Sequence, residues 1–336
     1  MKKTLVIILV ILLLIASVFY FINRNKNQPK VSSINKSGEI ERPLERYSIE
    51  NLAETDISRG KITIKEKLEE KETFDSYIFE FQFNPNLDQK TIKKTSGLIN
   101  IPKGKSTFPL VIMIRGYVDP KIYKTGTGSK NMSYFLAEKG FITITPDFLG
   151  YADSDREAEN IFESRFQTYT TILSLIKSVG DIEKWDKKNI FIWGHSNGGQ
   201  IAFYTLEVLE KNIPTVLWAP VSKPFPYSIL YYTDEAEDKG KFIRKELAKF
   251  EESYDVDKYS VTNYFNRINS PLLIIQGTND DAVPEKWSKE LSQKLEKLGK
   301  KVKYQTYTGA DHNLRPRWNE AAESTLEFFV KNLTKD

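Results

Sequence analysis

The chain has 336 residues, 40% hydrophobic and 28% charged, which allows one large domain or two small ones and a core of ordinary size. Its 49 basic and 45 acidic residues, spread along the chain, leave a net charge of +4 and no electrostatic footprint for nucleic acid. Cysteine is absent and histidine occurs only at His195 and His312, which excludes disulfides, thiolate catalysis and any metal site built from several Cys or His ligands.

In chain order, the first predicted element is residues 4–22 (TLVIILVILLLIASVFYFI), uncharged and nearly all apolar. A helix of that length at ~1.5 Å per residue crosses the hydrocarbon core of a bilayer. Phe19, Tyr20 and Phe21 at its end suit the interface. No small-residue cleavage site follows, so the expectation is a lasting single-pass anchor in the lipid bilayer. Lys2 and Lys3 before the span and Arg24, Lys26 and Lys30 after it leave the charge nearly symmetric. A short N-terminus before one large domain favours an extracytoplasmic catalytic domain. Residues 1–30 are thus read as a membrane anchor, or alternatively a signal segment, 31–60 as a polar tether and 61–336 as the catalytic domain.

Residues 61–67, 77–83 and 97–101 alternate polar and apolar side chains, the pattern of antiparallel strands with one wet face. Continuous apolar runs follow at 110–114, 142–144, 190–193, 216–218 and 272–275, as expected of strands buried on both faces, with a final strand at 302–307. Helices are predicted over 200–210, 284–298 and 317–332. The second carries Trp287, Leu291, Leu295 and Leu298 on one stripe, and the third turns Ala321, Leu326 and Phe329 inward. Strands alternating with helices imply a mostly parallel sheet covered on both faces. Residues 221–270 are too long for a connection and read as a helical cap insertion.

The sharpest motif is Gly194-His195-Ser196-Asn197-Gly198-Gly199, between the strand NIFIW and a helix. Glycines at both flanks permit a turn tight enough to lift the serine hydroxyl above the sheet, at the helix N-terminus. A serine hydroxyl needs a base to take its proton. His195 is its neighbour, and the turn points adjacent side chains apart, so its expected role is packing. That leaves His312, in a loop after the last strand, on the sheet edge where such loops gather. Asp280 or Asp281, after the preceding strand, would orient the imidazole, in the chain order Ser, Asp, His of the α/β-hydrolase fold. Asp281 suits capping of the helix near Pro284, which leaves Asp280 for catalysis. The expected oxyanion donors are the backbone N–H groups of Asn197 and Tyr117. No metal or cofactor is called for.

The stretches SGLINIPKG…FPLVIMIRGY, ITPDFLGYADSD, GHSNGG, IIQGTNDDAVP and YTGADHN resemble the catalytic domain of the prolyl oligopeptidase family and its dienelactone-hydrolase-like relatives, over roughly residues 95–332. The resemblance implies Ser196, Asp280 and His312 as a catalytic triad, and Asp147 and Gly150 as parts of a supporting loop. It implies a serine peptidase or carboxylesterase acting on a small ester or peptide. Two departures stand out. The residues before the hydrolase region are too few for a β-propeller, and Arg115-Gly116 stands where relatives carry His-Gly or Tyr. The alternatives are an inactive, membrane-anchored binding protein on the same fold, and an acyltransferase.

Overall fold

The computed structural model describes residues 41–334 apart from 89, 105, 234 and 235. The expected membrane segment and the first part of the tether lie outside the described residues. Among those described, no helix is long and apolar enough to cross a membrane. Residues Leu44–Asp336 form one compact unit, distinct from Met1–Pro43.

A nine-stranded sheet organises that unit. Its strands are β1 (Lys61–Glu70), β2 (Phe74–Phe83), β3 (Lys93–Pro102), β4 (Phe108–Ile114), β5 (Ile142–Pro146), β6 (Trp185–His195), β7 (Thr215–Trp218), β8 (Leu272–Gly277) and β9 (Val302–Tyr307). The spatial order is β1-β2-β3-β5-β4-β6-β7-β8-β9. The β1/β2, β2/β3 and β3/β5 pairs are antiparallel, and every pair from β5 across to β9 is parallel. This is the expected α/β-hydrolase architecture, antiparallel at the N-terminal edge and parallel elsewhere.

The side-chain period of two in a strand divides the core between the two faces. Ile112, Ile144, Ile192, Leu217 and Ile274 join one buried cluster. Val111, Met113, Phe191, Trp193, Val216, Trp218 and Ile275 join the other. On the first face lie α1 (Ile49–Glu54), α3 (Ile161–Ser178), α4 (Asn197–Leu209) and α7 (Glu285–Lys297). The second face is covered by α2 (Lys130–Glu138) and α8 (Trp318–Lys331). The three sequence-predicted helices correspond to α4, α7 and α8, each offset at its ends by a few residues.

The reading of 31–60 as a tether needs correcting over its second half. Leu44, Tyr47, Ile49, Leu52 and Ile57 are buried in the main cluster. The Tyr204 hydroxyl donates to the Tyr47 carbonyl, and the Tyr259 hydroxyl to that of Leu44 at 3.1 Å. With apolar residues at 44, 47, 49 and 52 the run is too short to show a period, which is why it reads as polar linker. Helix α3 was also not foreseen. Its buried face includes Thr170, Thr171 and Ser174, whose polarity breaks the apolar stripe. Their hydroxyls are satisfied within the fold, Thr171 donating to Gln167 O at 2.6 Å one turn back and Ser174 to Ser58 O at 2.8 Å.

The 221–270 insertion is helical, with α5 (Tyr227–Leu230), α6 (Lys241–Glu251) and short 3-10 turns that include Val256–Tyr259, Val261–Asn263 and Phe265–Arg267. Phe225, Phe250 and Tyr259 pack against Phe162 and Phe166 of α3. Its buried side chains thus extend the core of the first face.

Candidate active site

Strand β6 runs directly into the motif and α4 starts directly after it. Ser196 sits between them at φ 56° and ψ −121°, a conformation that costs an L-residue free energy. The surroundings show what holds it there. The Ser196 N–H donates to Trp218 O at 2.9 Å, and its carbonyl accepts from Gly199 N at 2.9 Å and Val221 N at 3.0 Å. The glycines are required by close approach. A Cβ on Gly198 would collide with Ile114 O and stand 2.6 Å from Arg115 O, and one on Gly194 would stand 2.8 Å from Gly198 O. Gly116 backs onto the serine itself, where a Cβ would lie 2.9 Å from Ser196 Cβ and 3.5 Å from its Oγ.

Asp280 and His312 come together as the sequence suggested. His312 Nδ1 lies 3.0 and 2.9 Å from the two Asp280 oxygens. The Asp280 side chain is fully buried and that of His312 is 17% exposed. Asp280 Oδ1 also accepts from Ala282 N at 2.9 Å and Val283 N at 2.8 Å, and Oδ2 from Gln276 Nε2 at 2.8 Å. Burial opposes ionisation of this carboxyl, but the His312 bond and charge, the Val283 N–H and the Gln276 amide outweigh it and hold its pKa below the ordinary value. Gln276 is in turn held by Ser288, whose hydroxyl donates to its Oε1 at 2.7 Å. Sequence reasoning missed Gln276. Its place four residues before the acid, on the last turn of a buried strand, was the only available signal.

Asp281 does not cap α7. It is exposed, and the N-cap of that helix, Pro284, has no side-chain cap. The turn chemistry belongs to Asp280, which performs it with the same oxygen that faces His312.

His195 does more than pack. Its Nε2 lies 2.9 Å from the His312 carbonyl, and the two imidazoles are 4.7 Å apart. Burial first, and the neighbouring His312 second, lower its pKa to about 4. It is therefore neutral at pH 7, and the Nε2–H tautomer donates to that carbonyl. The loop carrying His312 is thus tied to the residue before Ser196. No hydrogen bond joins the Ser196 hydroxyl to His312 itself. Asn197 and Tyr117, the expected oxyanion donors, both line one cavity of about 240 Å³ together with Gly116. Neither backbone N–H donates to another described residue. The Tyr117 side chain is 74% exposed.

Arg115 donates to Gly116 O at 2.9 Å and Asp147 O at 2.8 Å. Asp147 anchors the supporting loop as expected, accepting from Tyr123 Oη at 2.6 Å, Ser96 Oγ at 2.7 Å and Thr125 Oγ1 at 2.8 Å. Gly150 takes φ 80° in the turn that follows. Among the described residues no cluster of His, Cys, Asp and Glu could hold a metal ion.

Residues 128–336 match the model of the prolyl oligopeptidase family. The chain is 25% identical over 202 residues to the uncharacterized peptidase YtmA of Bacillus subtilis, across 59% of this chain and 74% of that protein. It is 24% identical over 233 residues to the esterase EstD of Thermotoga maritima, across 60% of this chain and 55% of EstD. The fold is shared with an acetyl xylan esterase from Paenibacillus sp. R4 at a TM-score of 0.60 and 14% identity, over 85% of this chain and 92% of that one. It is also shared with Est1E from Butyrivibrio proteoclasticus, solved with ferulic acid bound, at a TM-score of 0.54 and 19% identity, over 72% of this chain and 97% of that one.

Proposed function

The chain belongs to the prolyl oligopeptidase family, a family of hydrolases, and from that premise we propose that it cleaves ester or peptide bonds through Ser196, His312 and Asp280. The observation that carries the reading is the buried Asp280 carboxylate on His312 Nδ1 at 2.9 Å, in a loop tied through His195 to the strained Ser196. Ser196 Oγ attacks the carbonyl carbon as His312 Nε2 takes the hydroxyl proton. Asp280 stays ionised, fixes the Nδ1–H tautomer and stabilises the imidazolium. The N–H groups of Asn197 and Tyr117 receive the oxyanion, Asn197 at the positive end of α4. His312 then protonates the leaving oxygen or nitrogen, and water, activated by the same imidazole, releases the acyl group from the serine. The serine–imidazole bond tightens as substrate binds.

Labelling with a fluorophosphonate, run beside p-nitrophenyl esters and aminoacyl nitroanilides, tests this. Labelling and turnover should both vanish in Ser196→Ala, and the two chromogenic series separate esterase from peptidase. Folded protein that takes up no probe, or a Ser196→Ala variant that still does, would reject the triad. Residues 4–22 are proposed to anchor the enzyme in a membrane, on the strength of their uncharged length. Release of the full chain from membranes by alkaline carbonate would reject that part alone.

A further inference from the structure

The cavity beside the nucleophile contains more positive charge than its own structure neutralises. Besides Gly116, Tyr117 and Asn197 it is lined by two guanidinium side chains, Arg115 and Arg165. Neither has a carboxylate within ion-pair distance among the described residues. Arg115 is 4% exposed, faces the rings of Tyr123 and Tyr151 at 4.5 and 4.0 Å, and spends its hydrogen bonds on backbone carbonyls. Arg165 reaches from α3 to the first turn of α4, where its Nη2 donates to Gln200 Oε1 and to Asn197 Oδ1 at 3.3 Å. Both acceptors are neutral amides.

That placement is electrostatically unfavourable as it stands. A guanidinium held against a helix N-terminus meets the positive end of the helix dipole. A guanidinium presents five donors in a planar fork; here Nη2 serves both amides, and the other neighbour of the group is the neutral hydroxyl of Tyr169. The one carboxylate on the cavity wall, Glu157, is exposed and accepts instead from the Ser164 hydroxyl. An anion in the cavity would satisfy the guanidinium and offset its repulsion from the helix end.

We propose that Arg165 is a specificity-determining residue that binds a carboxylate on the acyl part of the substrate. The inference rests on the serine-hydrolase reading for its chemistry, and on the cavity alone for its binding. The preferred substrate class is then esters or amides of dicarboxylic acids, or acyl groups carrying an equivalent anion. Gly116, on which an added Cβ would stand 2.9 Å from Ser196 Cβ, also lines the cavity, so the cavity adjoins the serine and an anion on a short acyl chain can reach it.

The test compares p-nitrophenyl hemiglutarate with p-nitrophenyl valerate, which differ by one charged terminus. The native protein should favour the anionic ester in kcat/KM, and Arg165→Gln should reduce that ratio by about 10- to 100-fold, the range of a charge-assisted hydrogen-bond pair. Arg165→Lys should keep part of it. A residue that only props up Asn197 and Gln200 would depress both esters alike, and an unchanged ratio overturns the proposal. Calorimetry of glutarate with Ser196→Ala supplies a readout free of turnover. Binding should weaken at least tenfold when Arg165→Gln is added. Equal binding by both variants, or no binding by either, overturns the proposal even if the triad is confirmed. A folded protein that hydrolyses nothing yet binds glutarate through Arg165 would instead reject the hydrolase and keep the anion site.

Discussion

At the scale of single residues the two adjacent aspartates are now distinguishable. Asp280 is buried on the imidazole, whereas Asp281 is exposed. Asp280→Asn should lower kcat by roughly 10³- to 10⁴-fold by favouring the wrong tautomer. Asp281→Asn should stay within about threefold of the native rate on the same ester. Steady-state kinetics of the two variants decide it, and the reverse ranking would move the acid by one position. The sequence could offer both residues but not choose between them by burial, because adjacent side chains in a turn diverge only once the backbone is known. The roles of His195 and Gln276 were hidden for the same reason, since each acts through a partner distant in the chain.

At the scale of elements the turn at Ser196 and the docked N-terminal segment each make a prediction. Gly198→Ala places a Cβ against the carbonyls of Ile114 and Arg115, both in backbone that cannot yield without disturbing β4. It should cost about 2 kcal/mol or more in urea denaturation and abolish fluorophosphonate labelling. Labelling at the native rate would show that the close approach is not required. The segment 44–57 buries Leu44, Tyr47, Ile49, Leu52 and Ile57. At about 1.5–3 kcal/mol each they contribute on the order of 10 kcal/mol, comparable with the whole stability of a typical domain. A fragment beginning at residue 41 should therefore melt cooperatively, and one beginning at 61 should not. A cooperative transition in the shorter fragment would return that segment to the status of a tether.

At the scale of the whole molecule, two buried groups set opposing pH dependences of stability. His195, with its pKa lowered to about 4, is neutral in the fold where the unfolded chain would be charged. Its contribution is complete above the unfolded value of about 6.5 and is lost as pH falls from there towards 4. Glu207 is fully buried on α4, and neither of its carboxylate oxygens has a partner. Burial raises its pKa well above the usual range, and Arg267 and Lys294 only partly offset this. Stability from Glu207 is complete below about 4.5 and declines as pH rises above it. Between about 4.5 and 6.5 the two contributions therefore change in opposite directions with pH. His195→Gln, which retains a donor, should make Tm fall with rising pH across that window, and Glu207→Gln should make it rise. Parallel profiles for the two variants would contradict the assigned directions.

Local chemistry determined much of this protein. The period of two in the early strands, the apolar runs of the buried ones and the glycines about Ser196 are readable because each constraint acts within a few residues. They made legible the sheet, the tight turn at Ser196 and, by the scarcity of histidine, the candidacy of His312. What the sequence leaves open depends on pairs far apart along it. Only the folded chain sets residues 44–57 beneath α4, ties the His312 loop to His195 and brings Arg165 onto the first turn after the serine. Such contacts have no local period or spacing, because they arise where strands and helices from separate parts of the chain close over one sheet edge.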